Sequence, residues 1–381
     1  MRILSPVSLL AMLSRRLPWF LFCLALGVRL GYWHDISLDP SNGYPLYHAV
    51  RGVPYSDAQS YDLSAAEVAA GGEVPEYWRA RRPIYSYLLA ALYTWTGPSF
   101  NVAILLNIVL GAVTVVLIFQ IFARIFSVAV GLPVGIWAAF DPEQISGSMV
   151  IMTEPLGFFF LCWHFWLMVR APSPSKTDLF VSGVLFAISN LTRTLTLFAF
   201  PFYFLGMVIQ GLRRRWGIWR SGMFATVFFA GLFATLFPFM FAQWLRYGIF
   251  TLQDTTASHF YAATSPDYKA WDASIEQMAD DMNLKDTKER YQFFMSKARK
   301  NLFKYPRTFV SKLIENSKIP FFKSISFVNS QPFRAEFFAL SLLAILLAAP
   351  RSVRFAAWVL EAASFESDFR GCYLADRAGC F

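Results

Sequence analysis

Apolar residues in this chain gather into long unbroken runs, with neither the strict alternation of a half-buried strand nor the narrow stripe of a surface helix. A membrane span needs roughly 20 mostly apolar residues. Eight runs approach that length: 17–33, 101–123, 125–140, 149–169, 179–191, 195–210, 217–244 and 337–349. Several are short, so helix ends a few residues away from these bounds are expected. The stretch 83–95 is shorter still and predicts a re-entrant or interfacial helix rather than a ninth span. The pattern therefore predicts an all-α polytopic membrane protein.

Two polar stretches interrupt the apolar chain, at 35–82 and 245–336. Short cytoplasmic loops retain Lys and Arg. An inside amino terminus places Arg2, Arg15, Arg16, Arg124, Arg170, Lys176, Arg213, Arg214, Arg215 and Arg220 in the cytoplasm, and among the short outer loops only the one at Arg193 is basic. Both long polar stretches then face out. Composition agrees, with 40 Phe, 12 Trp and 56% hydrophobic residues. That excludes an ordinary soluble domain. The net charge of +9 resides in the inner loops and the second outer region, where topology and anionic lipid account for it without nucleic acid.

The first outer stretch contains "PYSDAQSYDLSAAEVAAGG", an acidic helix in a hydrophobic chain. Ser56 and Gln59 form a capping box, which places Asp57 in the first helical turn and ends the helix near Gly71 and Gly72. The helix dipole favours a carboxylate there. Tyr61 lies one turn on, on the same face, with Asp62 beside it. An acidic first turn equally suits a plain solvated helix. Next comes "YWRARRPIYSYLLAALYTWTG", in which Arg79, Arg81 and Arg82 precede a short aromatic helix. Guanidinium groups at a headgroup boundary bind phosphate oxygens in pairs, or anchor the helix by snorkelling. A third polar site, "AAFDPEQISGSMVIMTEPLGFFF", brings Asp141, Glu143 and Glu154 near one short outer turn. Glu154, nearest the apolar run, is the stronger functional candidate.

Other chemistry is not legible. The four His and four Cys are scattered without zinc-ligand spacing, and neither a P-loop nor a G-x-S-x-G element is present. No cofactor is expected, and a divalent metal is not indicated.

Taken in order, these segments resemble the GT-C superfamily of membrane glycosyltransferases that use polyprenyl-phosphate sugars, in the branch of the protein O-mannosyltransferases and the lipid A aminoarabinose transferase. "SDAQSYDLSAAEVAAGG" resembles that family's first outer loop and "RRPIYSYLLAALYTWTG" its basic-Pro segment. "MTEPLGFFFL" resembles its acidic span start, "LTRTLTLFAFP" its Leu-Thr-Arg turn, and "WLRYGIFTL" the exit from its last core span. The resemblance covers roughly residues 17–323. It implies a GT-C-like transmembrane helix bundle, a first outer loop bearing interfacial helices and a second helical outer region. By position it implies Asp57 as catalytic carboxylate, Arg82 as the cation at the carrier phosphate and Glu154 as a second acidic site. Arg79, Arg81, Tyr61, Asp62 and Arg193 complete the expected substrate-binding set. Many relatives carry adjacent acidic residues at the first site, whereas Ala58 follows Asp57 here, which speaks against a metal-binding version.

The resulting expectation is a plasma (inner) membrane enzyme with its active site on the extracytoplasmic side. It moves a sugar from a polyprenyl-phosphate donor to a hydroxyl on a glycan, lipid or protein. Residues 1–244 form the core, with the catalytic outer loop at 34–100. Residues 245–336 form the second outer region, and 337–381 a last span with a polar tail shortened relative to the family. Two other classes remain open: a polymerase or ligase of lipid-linked oligosaccharides, which would lean on outer-loop arginines, and a transporter, which usually shows repeats and mid-membrane ionisable groups.

Overall fold

The computed structural model describes residues 6–38, 57–72, 83–171, 174–193, 217–253, 255–268, 274–284 and 286–312. Among these residues the chain is helical, with no strand. The helices are α1 (Pro6–Leu38), α2 (Asp57–Ala69), α3 (Pro83–Thr96), α4 (Phe100–Ile125), α5 (Val128–Phe140), α6 (Pro142–Gly147), α7 (Glu154–Val169), α8 (Lys176–Thr192), α9 (Gly217–Tyr247), α10 (Thr256–Thr264), α11 (Ser274–Asp281) and α12 (Thr287–Lys304). Six expected spans are therefore helices. The expected spans at 195–210 and 337–349 lie outside the described residues.

Two boundaries differ from the sequence reading for local reasons. The expected span 149–169 starts as a helix only at Glu154, because a separate short helix, α6, opens at Pro142 and the backbone between α6 and α7 is not helical. Proline at a first turn forfeits no helical hydrogen bond, so Pro142 and Pro155 each mark a start. The expected span 125–140 begins at Val128, where the Ser127 hydroxyl accepts from the Val130 amide and caps the helix.

Among the described residues two helices are long and apolar enough to cross a membrane by length and composition: Phe100–Ile125, and Gly222–Tyr247 within α9. α9 leaves Phe233, Phe237, Trp244 and Leu245 half or more exposed. A contiguous apolar face of that kind requires a cover.

The bundle is built from neighbours. α1 packs on α4 and α5, α4 on α5 and α7, α7 on α8, and α8 on α9. Close approach depends on small residues: a Cβ at Gly131 would lie 2.8 Å from the Phe119 carbonyl oxygen, and one at Gly183 would strike the Phe228 carbonyl. Such contacts hold helices together where the surroundings supply no hydrophobic drive.

Antiparallel pairing then sorts the helix ends. α4 and α5 are joined across two residues, and so are held head to tail. α7 and α8 meet through Glu154 at the start of one and Arg193 just past the end of the other. One end of the bundle gathers the starts of α4 and α7 with the ends of α5 and α8. The opposite end carries Arg124, Arg170 and Lys176, all exposed. There Arg170 pairs with Asp178, whose carboxyl also completes a capping box with Ser175 at the start of α8. Beyond α9, helices α10, α11 and α12 form a small cluster around Ala257, Tyr261, Phe294 and Ala298.

Candidate functional site

At the end of the bundle away from the exposed basic residues, a cavity of about 450 Å³ opens between α4, α6, α7 and α8. Three carboxylates line it: Asp141, the residue just before α6, Glu143 in the first turn of α6, and Glu154 in the first turn of α7. Opposite stands Arg193, the residue that ends α8, and its guanidinium forms an ion pair with Glu154. Phe158 and Leu161 supply an apolar wall. The pair is partly exposed, so its stability value is modest. Its positional value is larger, since it fixes a carboxylate and a cation on facing helices. Ser189 supports it by donating to the Gly157 carbonyl at 2.9 Å, locking α8 on α7 just inside the cavity.

The acidic helix α2 packs on α3, and α3 connects it to this site. Tyr61 is buried against Tyr85, with ring centroids 5.6 Å apart in an edge-on arrangement. Tyr85 donates to the Asn107 side chain at 3.1 Å, and Asn107 donates in turn to the Val150 carbonyl at 2.6 Å. That carbonyl lies four residues before Glu154. A second tie is the Tyr93 hydroxyl, which donates to the Asp62 carboxylate at 2.5 Å. Burial pushes both phenols above their ordinary values, and for Tyr93 the Asp62 carboxylate adds to the effect. Both stay protonated as donors. The helix that presents Asp57 is thus fastened to the element that presents Glu154.

The expected site residues fall into three groups. Glu154 and Arg193 are in contact in the cavity. Asp57 is the first residue of α2 and is exposed, whereas Tyr61 and Asp62 turn toward α3, one buried and one hydrogen bonded. Arg79, Arg81 and Arg82 lie outside the described residues. Among the described residues no group of His, Cys, Asp and Glu is arranged to hold a metal ion.

Two polar residues at this end were not singled out from the sequence. Asn107 is buried in an apolar helix and joins α3 to the turn before α7. Arg29, within the first apolar run, is fully buried beside the wall of the cavity. The available signal was simple: an ionisable side chain inside a span is a functional-site hypothesis by default.

Comparison with known proteins bears on this end of the molecule. The family of dolichyl-phosphate-mannose-protein mannosyltransferases matches residues 80–244. The match runs from just before α3 nearly to the end of α9. It takes in Arg81, Arg82, Asp141, Glu154 and Arg193, but not Asp57, Tyr61, Asp62 or Arg79. No curated protein and no solved structure matches the chain.

Proposed function

We propose that the protein is an integral membrane glycosyltransferase that moves a sugar from a polyprenyl-phosphate donor to an acceptor hydroxyl at the extracytoplasmic face. The observation that carries this reading is the Glu154–Arg193 pair in an acid-lined cavity at one end of the helix bundle, within the segment that matches the mannosyltransferase family. The separation of an acidic end from a basic one supports the sidedness, because basic residues are retained inside.

In this mechanism the Asp57 carboxylate takes the proton of the acceptor hydroxyl as its oxygen attacks the anomeric carbon. The bond from that carbon to the phosphate oxygen breaks, and the lipid phosphate departs with the electron pair. A positioned base contributes typically a factor of about 10² to 10⁴. A cation at the leaving phosphate stabilises the charge that develops there, and Arg82 has this role, with Arg81 and Arg79 as supports. Glu154, held by Arg193, orients sugar or acceptor hydroxyls in the cavity. Tyr61 and Asp62 act through α3: they keep the base on a rigid helix, which catalysis by orientation requires.

The test is mass analysis of surface glycans and lipid-linked sugars in cells with and without the protein. The proposed activity predicts loss of one sugar from an envelope glycan, lipid or protein, with accumulation of its polyprenyl-phosphate donor. Unchanged glycans and donor pools would contradict it.

A further inference from the structure

Charge in α12 and the residues just after it is of one sign. From Arg290 to Lys312 the sequence has seven cations and no Asp or Glu. Two of the seven are engaged within the α10–α12 cluster: Arg290 pairs with Asp280 at 3.3 Å, and the Lys312 ammonium donates to the carbonyls of Ala262, Ser265 and Tyr268. The other five, Lys297, Arg299, Lys300, Lys304 and Arg307, are exposed. Among them stands Phe303, 86% exposed near the end of the helix. A single exposed apolar side chain is ordinary. Ringed by five cations on a fixed helix, it marks a surface suited to an anionic partner with an apolar interior.

Packing keeps this face turned outward. Phe294 and Ala298, one turn apart, are buried with Ala257 and Tyr261, and Phe309 meets Phe260 edge-on with ring centroids 6.1 Å apart. Residues four apart share a helix face, so Arg299 with Phe303, and Lys300 with Lys304, present themselves away from that core. The start of α12 is fastened as well. Tyr291 packs on Tyr247 and Ile249 just where α9 ends, and a Cβ at Gly248 would lie 3.0 Å from Lys288 Cδ. α9 is long and apolar enough to cross a membrane as far as Tyr247, and Trp244 and Tyr247 are the residue types enriched at a bilayer boundary. α12 therefore starts at the level where α9 leaves the bilayer, and its 18 residues reach about 27 Å from that point.

We propose that the exposed face of α12 docks on the membrane surface beside the end of α9, with Lys297, Arg299, Lys300, Lys304 and Arg307 on anionic phospholipid headgroups and Phe303 entering the headgroup layer. Phosphate-bearing headgroups complement the charge, and an acyl boundary just beneath them is what a phenyl ring gains from. A hydrated anionic glycan would match the cations but offer nothing to Phe303. Because the face has one apolar anchor rather than a broad apolar stripe, charge supplies most of the attraction, and docking follows the anionic lipid content. The inference uses α9 as a span and does not depend on the chemistry of the cavity. Its consequence is a fixed lower edge for the α10–α12 cluster, held to the bilayer at both ends of α12.

The experiment places a photoreactive phenylalanine analogue at Phe303 of the full-length protein and identifies by mass what it captures on irradiation. The protein is held in nanodiscs of phosphatidylglycerol and phosphatidylcholine in equal parts, or of phosphatidylcholine alone, and each variant is first checked for wild-type elution and thermal midpoint. Lipid adducts at 303 are expected in the mixed discs, with a yield lower by about tenfold or more in phosphatidylcholine alone. Lys297→Gln, Arg299→Gln, Lys300→Gln and Lys304→Gln together remove four contacts worth about fivefold each near an anionic surface, and should lower the yield in mixed discs to the same degree. These side chains are exposed, and Gln is a good helix former, so the fold should persist. The same analogue at Phe233, exposed on α9, should capture lipid equally in both discs and in the charge variant. Absence of lipid adducts at 303 in mixed discs, or capture there of a second protein chain or a copurified glycan instead, overturns docking on the membrane. Equal yields in the two discs overturn the anionic headgroup as the partner. Sugar transfer by a protein that captures no lipid at 303 would remove the docking and leave the transferase reading standing.

Discussion

Glu154 is the residue at which sequence and geometry meet most closely. Its place before Pro155 put it at the first turn of a helix, and α7 begins there. The sequence did not reveal its partner: Arg193 lies 39 positions on, and only the antiparallel packing of α7 and α8 brings them together. Because the cavity exposes both side chains in part, the pair matters for orientation more than for stability. Glu154→Gln should lower sugar transfer by about a hundredfold through lost orientation while shifting the thermal midpoint by only a few degrees. Removing Arg193 as well should cost little more than either change alone, as expected of two groups that act as a unit. A double mutant whose loss equals the product of the single losses would separate the two residues. Asp62 shows the opposite limit of sequence reading. Its position on α2 beside Asp57 was legible, but its use as an acceptor for Tyr93 depends on the packing of α3.

At the scale of elements, the apolar runs gave most helices directly, because bilayer spans are written as composition. Breaks between helices were harder to see. The pattern shows a short outer turn at Asp141 and Glu143 followed by a run from 149, whereas α6 occupies that turn and the backbone stays non-helical until Glu154, with α6 and Ser148 lining the cavity. Packing partners were invisible, since Gly131 and Gly183 declare themselves only when a facing carbonyl is known. The α7–α8 hairpin carries its own pH signature. Burial of Asp178 opposes its ionisation, but the Ser175 amide and hydroxyl and the Arg170 guanidinium outweigh that effect and hold its carboxyl below the ordinary value. A lowered carboxyl pKa stabilises the fold fully above the unfolded value of about 3.9 and ceases to do so as pH falls through the lower folded value. Asp178→Asn should therefore cost on the order of 1 kcal/mol at pH 7, given the exposure of Arg170. The difference in thermal midpoint between variant and wild type should stay constant above about pH 4 and shrink as pH falls below the unfolded value of about 3.9 toward the lower folded one. A difference that does not shrink with falling pH would assign the effect to packing instead.

For the whole molecule, sidedness decides whether the site can meet an extracytoplasmic acceptor. The basic ends at Arg124, Arg170 and Lys176 should be inside, and Asp57, Glu143 and the α10–α12 cluster outside. Single cysteines at Asp57, Lys176 and Asp280, labelled in intact cells with an impermeant reagent, check this directly. Labelling at Asp57 and Asp280 with protection at Lys176 is expected, and protection at Asp57 would put the proposed base on the wrong side of the membrane.

The most direct measurement of the central proposal is sugar transfer from a purified polyprenyl-phosphate donor by wild-type, Asp57→Asn and Asp62→Asn proteins of verified fold. Asp57 is exposed at the first position of α2, so the amide keeps the helix start and removes only the base. Wild type should transfer the sugar and release the lipid phosphate, and Asp57→Asn should lose about two to four orders of magnitude in turnover. Asp62→Asn should retain most of the turnover, since an amide oxygen still accepts from Tyr93. Near-normal transfer by Asp57→Asn, or equal losses in both variants, would contradict a catalytic Asp57 and leave Glu154 as the candidate base.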